Sequence, residues 1–218
     1  MLSSTAWSGP NRLGTVYVVV LAAGRGERFG GTKLLATWRG RPLLGHVLGA
    51  LRPSLESGLL AGGCVVVPAD SPAVAVLASE AGMVPLPNHA PASGLSSSLR
   101  IAFDWLVPQA PRVPAAAVIF LGDQPAVPPN VLPNLITAWS RGDGMVIRPR
   151  YTEAPSEPGH PLLVDQSLWG LANELTGDAG FGLVFSARQI PIVTIETPGL
   201  NPDVDSPNDL SNLEGIEQ

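Results

Sequence analysis

Three stretches of the chain are apolar almost without interruption: Thr15 to Ala23 (TVYVVVLAA), Cys64 to Val67 (CVVV) and Ala115 to Gly122 (AAAVIFLG). A strand buried on both faces has no polar side to show, so this pattern predicts strands of a parallel sheet covered by helices. Between them apolar residues return at three- and four-residue spacing, which predicts helices. Leu43, Leu44, Val47, Leu48 and Leu51 follow Pro42, and Val74, Leu77, Ala78 and Ala81 follow Ser71 and Pro72. Leu95, Leu99, Ala102, Phe103 and Leu106 form a third stripe; Val131, Leu132, Leu135, Ile136 and Trp139 form a fourth after Pro128 and Pro129. Proline is well placed at the first helical position, where its missing N–H costs nothing. The resulting order, βαβα, predicts an α/β domain.

After about residue 143 the texture changes to shorter pieces set among turns: GMVIRPR, HPLLVD, SLWGLANEL and IPIVTIET. They read as the same domain continuing, with edge strands and a substrate-facing lobe. Residues 1–14 (MLSSTAWSGPNRLG) have neither a basic start nor an apolar run and read as a flexible leader, leaving 15–218 as one domain. No apolar run approaches the ~20 residues that span a bilayer, so a cytoplasmic protein without membrane contact is expected. A net charge of −5 supplies no field for holding nucleic acid, which favours a small-molecule partner. The single cysteine, Cys64, excludes an intrachain disulfide and a cysteine-built zinc site, and its apolar neighbours mark it as core filler.

The first strand runs into a glycine-rich loop that ends on a lysine, GRGERFGGTK, residues 24–33. Such a loop between a buried strand and a helix turns backbone N–H groups toward an anion, so phosphate is the first ligand to consider. Composition sharpens the point: the chain has twelve arginines and one lysine, Lys33, and that lysine closes this loop. A compact ammonium suits phosphate oxygens. Two common phosphate loops fail on specific residues. The dinucleotide fingerprint G-x-G-x-x-G needs glycine where Phe29 stands, and no acidic residue ends a strand about twenty residues on. The pattern G-x-x-x-x-G-K-[ST] is broken by Thr32 before Lys33 and by Leu34 after it.

Asp123 follows the apolar strand that ends near Leu121, which places a carboxylate at the C-terminal edge of a parallel sheet, where open α/β proteins bind ligands. Magnesium prefers such oxygen ligands, although an Asp in GDQP also suits a plain turn. Ser96, Ser97 and Ser98 begin a predicted helix, where they either cap free N–H groups or contact an anion. Asp205, in DVDSP, suits a cap for the helix that starts at Pro207. His46 and His89 have no evident partner.

LAAGRGERFGGTKLL closely resembles the opening motif L-A-A-G-x-x-x-R-[MF]-G-x-x-K of the nucleotidyltransferases that include the molybdenum cofactor cytidylyltransferases and guanylyltransferases. The resemblance runs from about Val16 to Leu213 and returns in order at GLSSSLRIAF, FLGDQPAVPP, EPGHPLLV, LTGDAGFGLVF and DVDSPNDL. It implies a three-layer Rossmann-like nucleotidyltransferase fold, with a nucleotide-binding half to about residue 142 and an acceptor-binding remainder. It also implies transfer of a nucleoside monophosphate to the terminal phosphate of molybdopterin, releasing pyrophosphate. CTP is expected over GTP, because guanylyl relatives more often carry a second glycine in place of Ala23 and because of the PGHP motif. The implied nucleotide contacts are Leu21, Ala22, Ala23, Gly24, Arg25, Gly26, Gly30, Lys33 and Ser97. Lys33, Arg28 and Asp123 are the implied catalytic residues, Asp123 and Asp205 the ligands of Mg2+, and His160 and Asp178 the acceptor contacts. A molybdoenzyme or a chaperone is the implied protein partner. A γ-phosphoryl-transferring kinase and a non-catalytic nucleotide-binding module are the competing readings.

Overall fold

The computed structural model describes residues 12, 14–24, 26, 29, 33–107, 114–157 and 159–213. The three apolar runs form neighbouring strands: β1 (Val16–Leu21), β4 (Gly62–Pro68) and β6 (Ala116–Leu121). A two-stranded ribbon, β2 (Thr37–Trp38) and β3 (Arg41–Pro42), precedes the first helix. The helical stripes become α1 (Leu43–Glu56), α2 (Pro72–Glu80), α3 (Leu95–Leu106) and α4 (Val131–Ser140). Strand β5 (Val84–Asn88) was not predicted. Its two prolines cannot donate to a ladder, and it lies at the sheet edge, where that is tolerated. The later pieces give β7 (Val146–Tyr151), β8 (Leu162–Asp165), α5 (Phe181–Ala187), β9 (Val193–Thr197) and α6 (Pro207–Asn212). Gln166–Glu174 is a run of 3-10 turns rather than an α-helix.

The main sheet has seven strands in the order β5-β4-β1-β6-β8-β7-β9. The pairs β4/β5, β1/β4, β1/β6 and β7/β9 are parallel, while β8 runs antiparallel to both β6 and β7. Of the late strands only β9 is an edge, so the expectation of edge strands holds for it and not for β8. Leu162, Leu163 and Val164 are buried on both faces, which is the pattern of an interior strand.

Alternation along each strand divides the core into two layers. Val16, Val18 and Val20 of β1, Val65 and Val67 of β4, and Ala116, Val118 and Phe120 of β6 pack under α1, α2 and α4. Val19, Leu21, Cys64, Val66, Ala117 and Ile119 pack on the opposite side against α3, Trp169, Phe181 and Phe185. The result is the three-layer arrangement with helices on both faces. Cys64 is fully buried in the second layer, and burial pushes its thiol up to about 12, which makes it inert filler. Arg12, placed in the leader by its sequence, is tied down: its N–H bonds Ser140 O at 2.8 Å and its guanidinium pairs with Asp165. Asp165 also accepts from Trp139 Nε1 at 2.9 Å.

Chain direction in the sheet fixes where a ligand can sit. From β1 the chain passes to β4 and β5 on one side, whereas β6 lies on the other. The crevice above the C-terminal ends of β1 and β6 is therefore the switch point of the sheet. The core that supports it has a measurable cost of disruption. Phe120→Ala is expected to lower unfolding free energy in urea by about 3–5 kcal/mol, whereas Leu183→Ala, at a side chain 67% exposed, stays within about 0.5 kcal/mol.

Candidate active site

Three distant segments meet at the switch point. β1 delivers Ala23 and Gly24; β6 delivers Gly122 and Asp123; the segment before α6 delivers Asp203 and Asp205. Gly122 N–H donates to Leu21 O at 2.9 Å. A Cβ there would stand 3.1 Å from the Ala22 Cβ, so the two strand ends come this close because Gly122 has none. The late segment is fastened by Val204, whose N–H donates to Asp123 O at 3.1 Å. Val204 is fully buried against Trp38, Leu43 and Leu213, so extended alternation turns Asp203 and Asp205 the other way, toward the crevice.

Lys33 opens a short 3-10 turn, Lys33–Leu35, and its ammonium reaches both carboxylates. Nζ lies 2.6 Å from Asp123 Oδ2 and 3.1 Å from Asp205 Oδ1. The lysine side chain is 10% exposed, against 25% for Asp123 and 46% for Asp205. Burial pulls the Lys33 pKa down, but the charges and hydrogen bonds of Asp123 and Asp205 outweigh it and raise the pKa above its ordinary value. The ammonium is therefore fully charged at neutral pH. Ser206 rather than Asp205 caps α6: its hydroxyl accepts from Asp209 N–H at 3.3 Å, and Asp209 accepts in return from Ser206 N–H at 2.7 Å.

No group of three or more His, Cys, Asp or Glu side chains gathers as a cation site among the described residues. Two carboxylates do converge on one positive charge. That donor set suits a magnesium-type ion, which is commonly held by one or two carboxylates with substrate phosphates supplying further oxygens.

A cavity of about 870 Å³ opens above these groups. Leu21, Ala23, Gly24, Gly26, Lys33, Asp123, Asp178 and Asp205 line it. Ala22, by contrast, faces the core under α1. Arg25, Arg28 and Gly30 lie outside the described residues. The serines do not cap α3 through side chains; its N-cap is Gly94. Ser97 Oγ donates toward Gly94 O at 2.8 Å, and buried Asn88 donates to Ser97 Oγ at 2.9 Å and to Ser98 Oγ at 3.0 Å. Ser98, not Ser97, lines the cavity. Gly94 has φ +79°, and a Cβ on it would stand 2.3 Å from the Gly177 carbonyl carbon. The loops before α3 and before α5 are thus in backbone contact, and this brings Asp178 onto the same wall as Ser98.

A second cavity, of about 570 Å³, shares Leu121 and Asp203 with the first. His160 lines it, so the structure separates His160 from Asp178. The His160 carbonyl accepts from Tyr151 Oη at 2.7 Å, and Gly159 packs against Pro149 O so tightly that a Cβ would lie 2.2 Å from it. Burial and the nearby Arg148 lower the His160 pKa to about 4 against the opposing pull of Asp123, so the ring is neutral at pH 7. His46 has a partner after all: its Nε2 donates to Trp38 O at 2.7 Å. Sequence reasoning missed Asn88, Asp203, Gln124 and Asn201. For Asp203 the signal was present, because alternation in DVD puts both acids on one side; the others have no local signature.

Residues 18–191 match the family model described as a MobA-like NTP transferase domain. No curated protein matches the sequence. Among solved structures, Rv0371c of Mycobacterium tuberculosis H37Rv is 27% identical with a TM-score of 0.75, covering 91% of this chain and 97% of that one. A manganese complex of Rv0371c is 25% identical with a TM-score of 0.74, covering 93% and 100%. The molybdopterin-guanine dinucleotide biosynthesis protein A of Archaeoglobus fulgidus shares the fold at 17% identity and TM-score 0.62, covering 91% and 96%. Among the described residues no helix is long and apolar enough to cross a membrane. The family model spans most of the chain and meets the glycine loop, Lys33 and Asp123 at the sheet's switch point: this protein belongs to the MobA-like NTP transferase family.

Proposed function

We propose that this chain transfers CMP from CTP to the terminal phosphate of a molybdopterin-type acceptor and releases pyrophosphate. The observation that carries the reading is the convergence of Lys33, Asp123 and Asp205 on one side of the 870 Å³ cavity. The acceptor phosphate oxygen forms a bond to the α-phosphorus while the bond to the bridging oxygen breaks, and the departing pyrophosphate carries the electron pair. A phosphate monoester has a second pKa of about 6, so the nucleophile is already largely ionised at pH 7 and needs no general base. His160, neutral at pH 7, is not required as one.

Catalysis then rests on position and charge. The family motif implies that the glycine loop ending at Lys33, with Arg25 and Arg28, would bind the β- and γ-phosphates. Lys33 meets charge developing at the α-phosphate. Asp123 and Asp205 are the residues that would hold Mg2+, which neutralises phosphate charge and aligns in-line attack when bound. The preference for CTP over GTP is supported by Ala23 in the LAAG motif and by the PGHP turn.

The test is a thermal-shift panel of CTP, GTP, ATP and UTP with Mg2+, followed by a pyrophosphate-release assay. CTP at a hundred times its Kd is expected to add about 2.7 kcal/mol, a rise of roughly 5–10 °C in Tm. Lys33→Ala and Asp123→Asn are each expected to slow pyrophosphate release about 10²–10³-fold. Release of a nucleoside diphosphate instead would identify γ-phosphoryl transfer, and nucleotide binding without turnover would identify a binding module.

His160 gives a separate pH prediction. Its folded pKa of about 4 lies below the unfolded value of 6.5, so between these the unfolded chain binds more protons. This contribution to stability is complete above pH 6.5 and is lost as pH falls toward 4, amounting to at most about 3 kcal/mol. Urea midpoints should therefore fall less steeply from pH 6.5 to 4 in His160→Gln than in the parent chain.

A further inference from the structure

A third apolar cluster lies apart from the two sheet layers, with Trp38, Leu43, Val204 and Leu213 as its buried members. Phe29 and Ala36 pack against it. Its membership follows the candidate site rather than the sheet. Phe29 belongs to the glycine loop, where its N–H donates to Gly26 O at 2.9 Å. Ala36 closes the turn that begins at Lys33: its N–H donates to Lys33 O at 3.0 Å, and its carbonyl accepts from Leu43 N–H at 3.0 Å. Val204 stands between Asp203 and Asp205 and donates to the Asp123 carbonyl. Among the described residues beyond β9, Val204 and Leu213 are the buried apolar ones, so the acidic segment takes its apolar anchorage from this cluster. The main core reaches Lys33 through Leu34, but it does not reach Asp205 in this way.

Trp38 supplies the largest side chain of the cluster, and its neighbours fix the ring. His46 Nε2 donates to the Trp38 carbonyl at 2.7 Å, the two rings lie 4.5 Å apart at 54°, and the Arg39 guanidinium carbon stands 4.8 Å from the Trp38 ring centroid. The indole Nε1 is buried without a hydrogen-bond partner among the described residues. An unmatched buried donor is a cost, so the ring serves through its bulk rather than its polarity. Trp38 lines neither cavity and so can act only through the groups it seats.

We infer that Trp38 is a positioning residue of the site: its bulk spaces the Lys33 turn from the acidic segment, and so presents Asp205 to Lys33 and to a divalent ion on Asp123. The inference deepens the nucleotidyl-transfer reading and rests on it. Truncating the ring leaves a cavity into which the cluster partly relaxes, and Val204 then carries Asp205 with it.

The experiment titrates Mn2+ into the full chain saturated with CTP, with free Mn2+ read by electron paramagnetic resonance and the folding of each variant checked by its urea midpoint. Trp38→Ala is expected to weaken Mn2+ binding about tenfold. Trp38→Phe keeps a ring and removes the unpaired donor, so it is expected to stay within about threefold of the parent chain. In an Asp205→Asn background Trp38→Ala is expected to cost less than about twofold, because the group it positions is already gone. A merely structural residue would cost the same factor in both backgrounds. Should Trp38→Ala not fold, Phe29→Ala, at a partly buried side chain, serves in the same cycle with an expected loss of about fivefold. The inference is overturned if the losses multiply independently of Asp205, or if Trp38→Phe binds Mn2+ as weakly as Trp38→Ala. Failure of the parent chain to bind CTP with Mn2+ would sink the nucleotidyl-transfer reading and the inference with it.

Discussion

One ammonium held between two carboxylates organises this molecule's chemistry. Lys33 and Asp123 are separated by 90 residues in sequence, and Lys33 and Asp205 by 172, yet their charged atoms meet within hydrogen-bond distance. Such a meeting needs every intervening element in place: β1 and β6 side by side, and the late segment pinned by the Val204 N–H to the Asp123 carbonyl. Burial alone would lower the pKa of Lys33, and the two acids reverse that tendency. The site is consequently a place where positive charge is stable in a partly dehydrated crevice, a property that triphosphate chemistry requires.

Much of this arrangement was legible in the sequence because the relevant signals are local and strong. Uninterrupted apolar runs identified β1, β4 and β6, and three- to four-residue spacing identified α1 to α4. The lone lysine at the end of a glycine loop pointed to the crevice before any geometry was known. The acid after β6 followed from where a parallel strand must end.

What was not legible depended on long-range packing. β5 hides behind Pro85 and Pro87, residues that argue against a strand unless one knows it is an edge. β8 is antiparallel and interior, and four residues contain nothing that specifies direction or neighbours. The serines at the start of α3 looked like caps, but Asn88, from the preceding strand, recruits Ser97 and Ser98 into a buried network. Asp205 also suited a helix cap, but the adjacent Ser206 takes that role through reciprocal bonds with Asp209, while the Asp205 carboxylate accepts from Lys33.

The common wall of the two cavities has a thermodynamic consequence. Asp203 faces both spaces while accepting a hydrogen bond from Gln124, so its carboxylate is a single resource drawn on from two directions. Whatever factor an occupant of one space applies to affinity in the other must be returned in equal measure, since binding free energies close a cycle. Any cooperation or antagonism between two ligands would need no moving domain here, since one side chain, Asp203, borders both compartments.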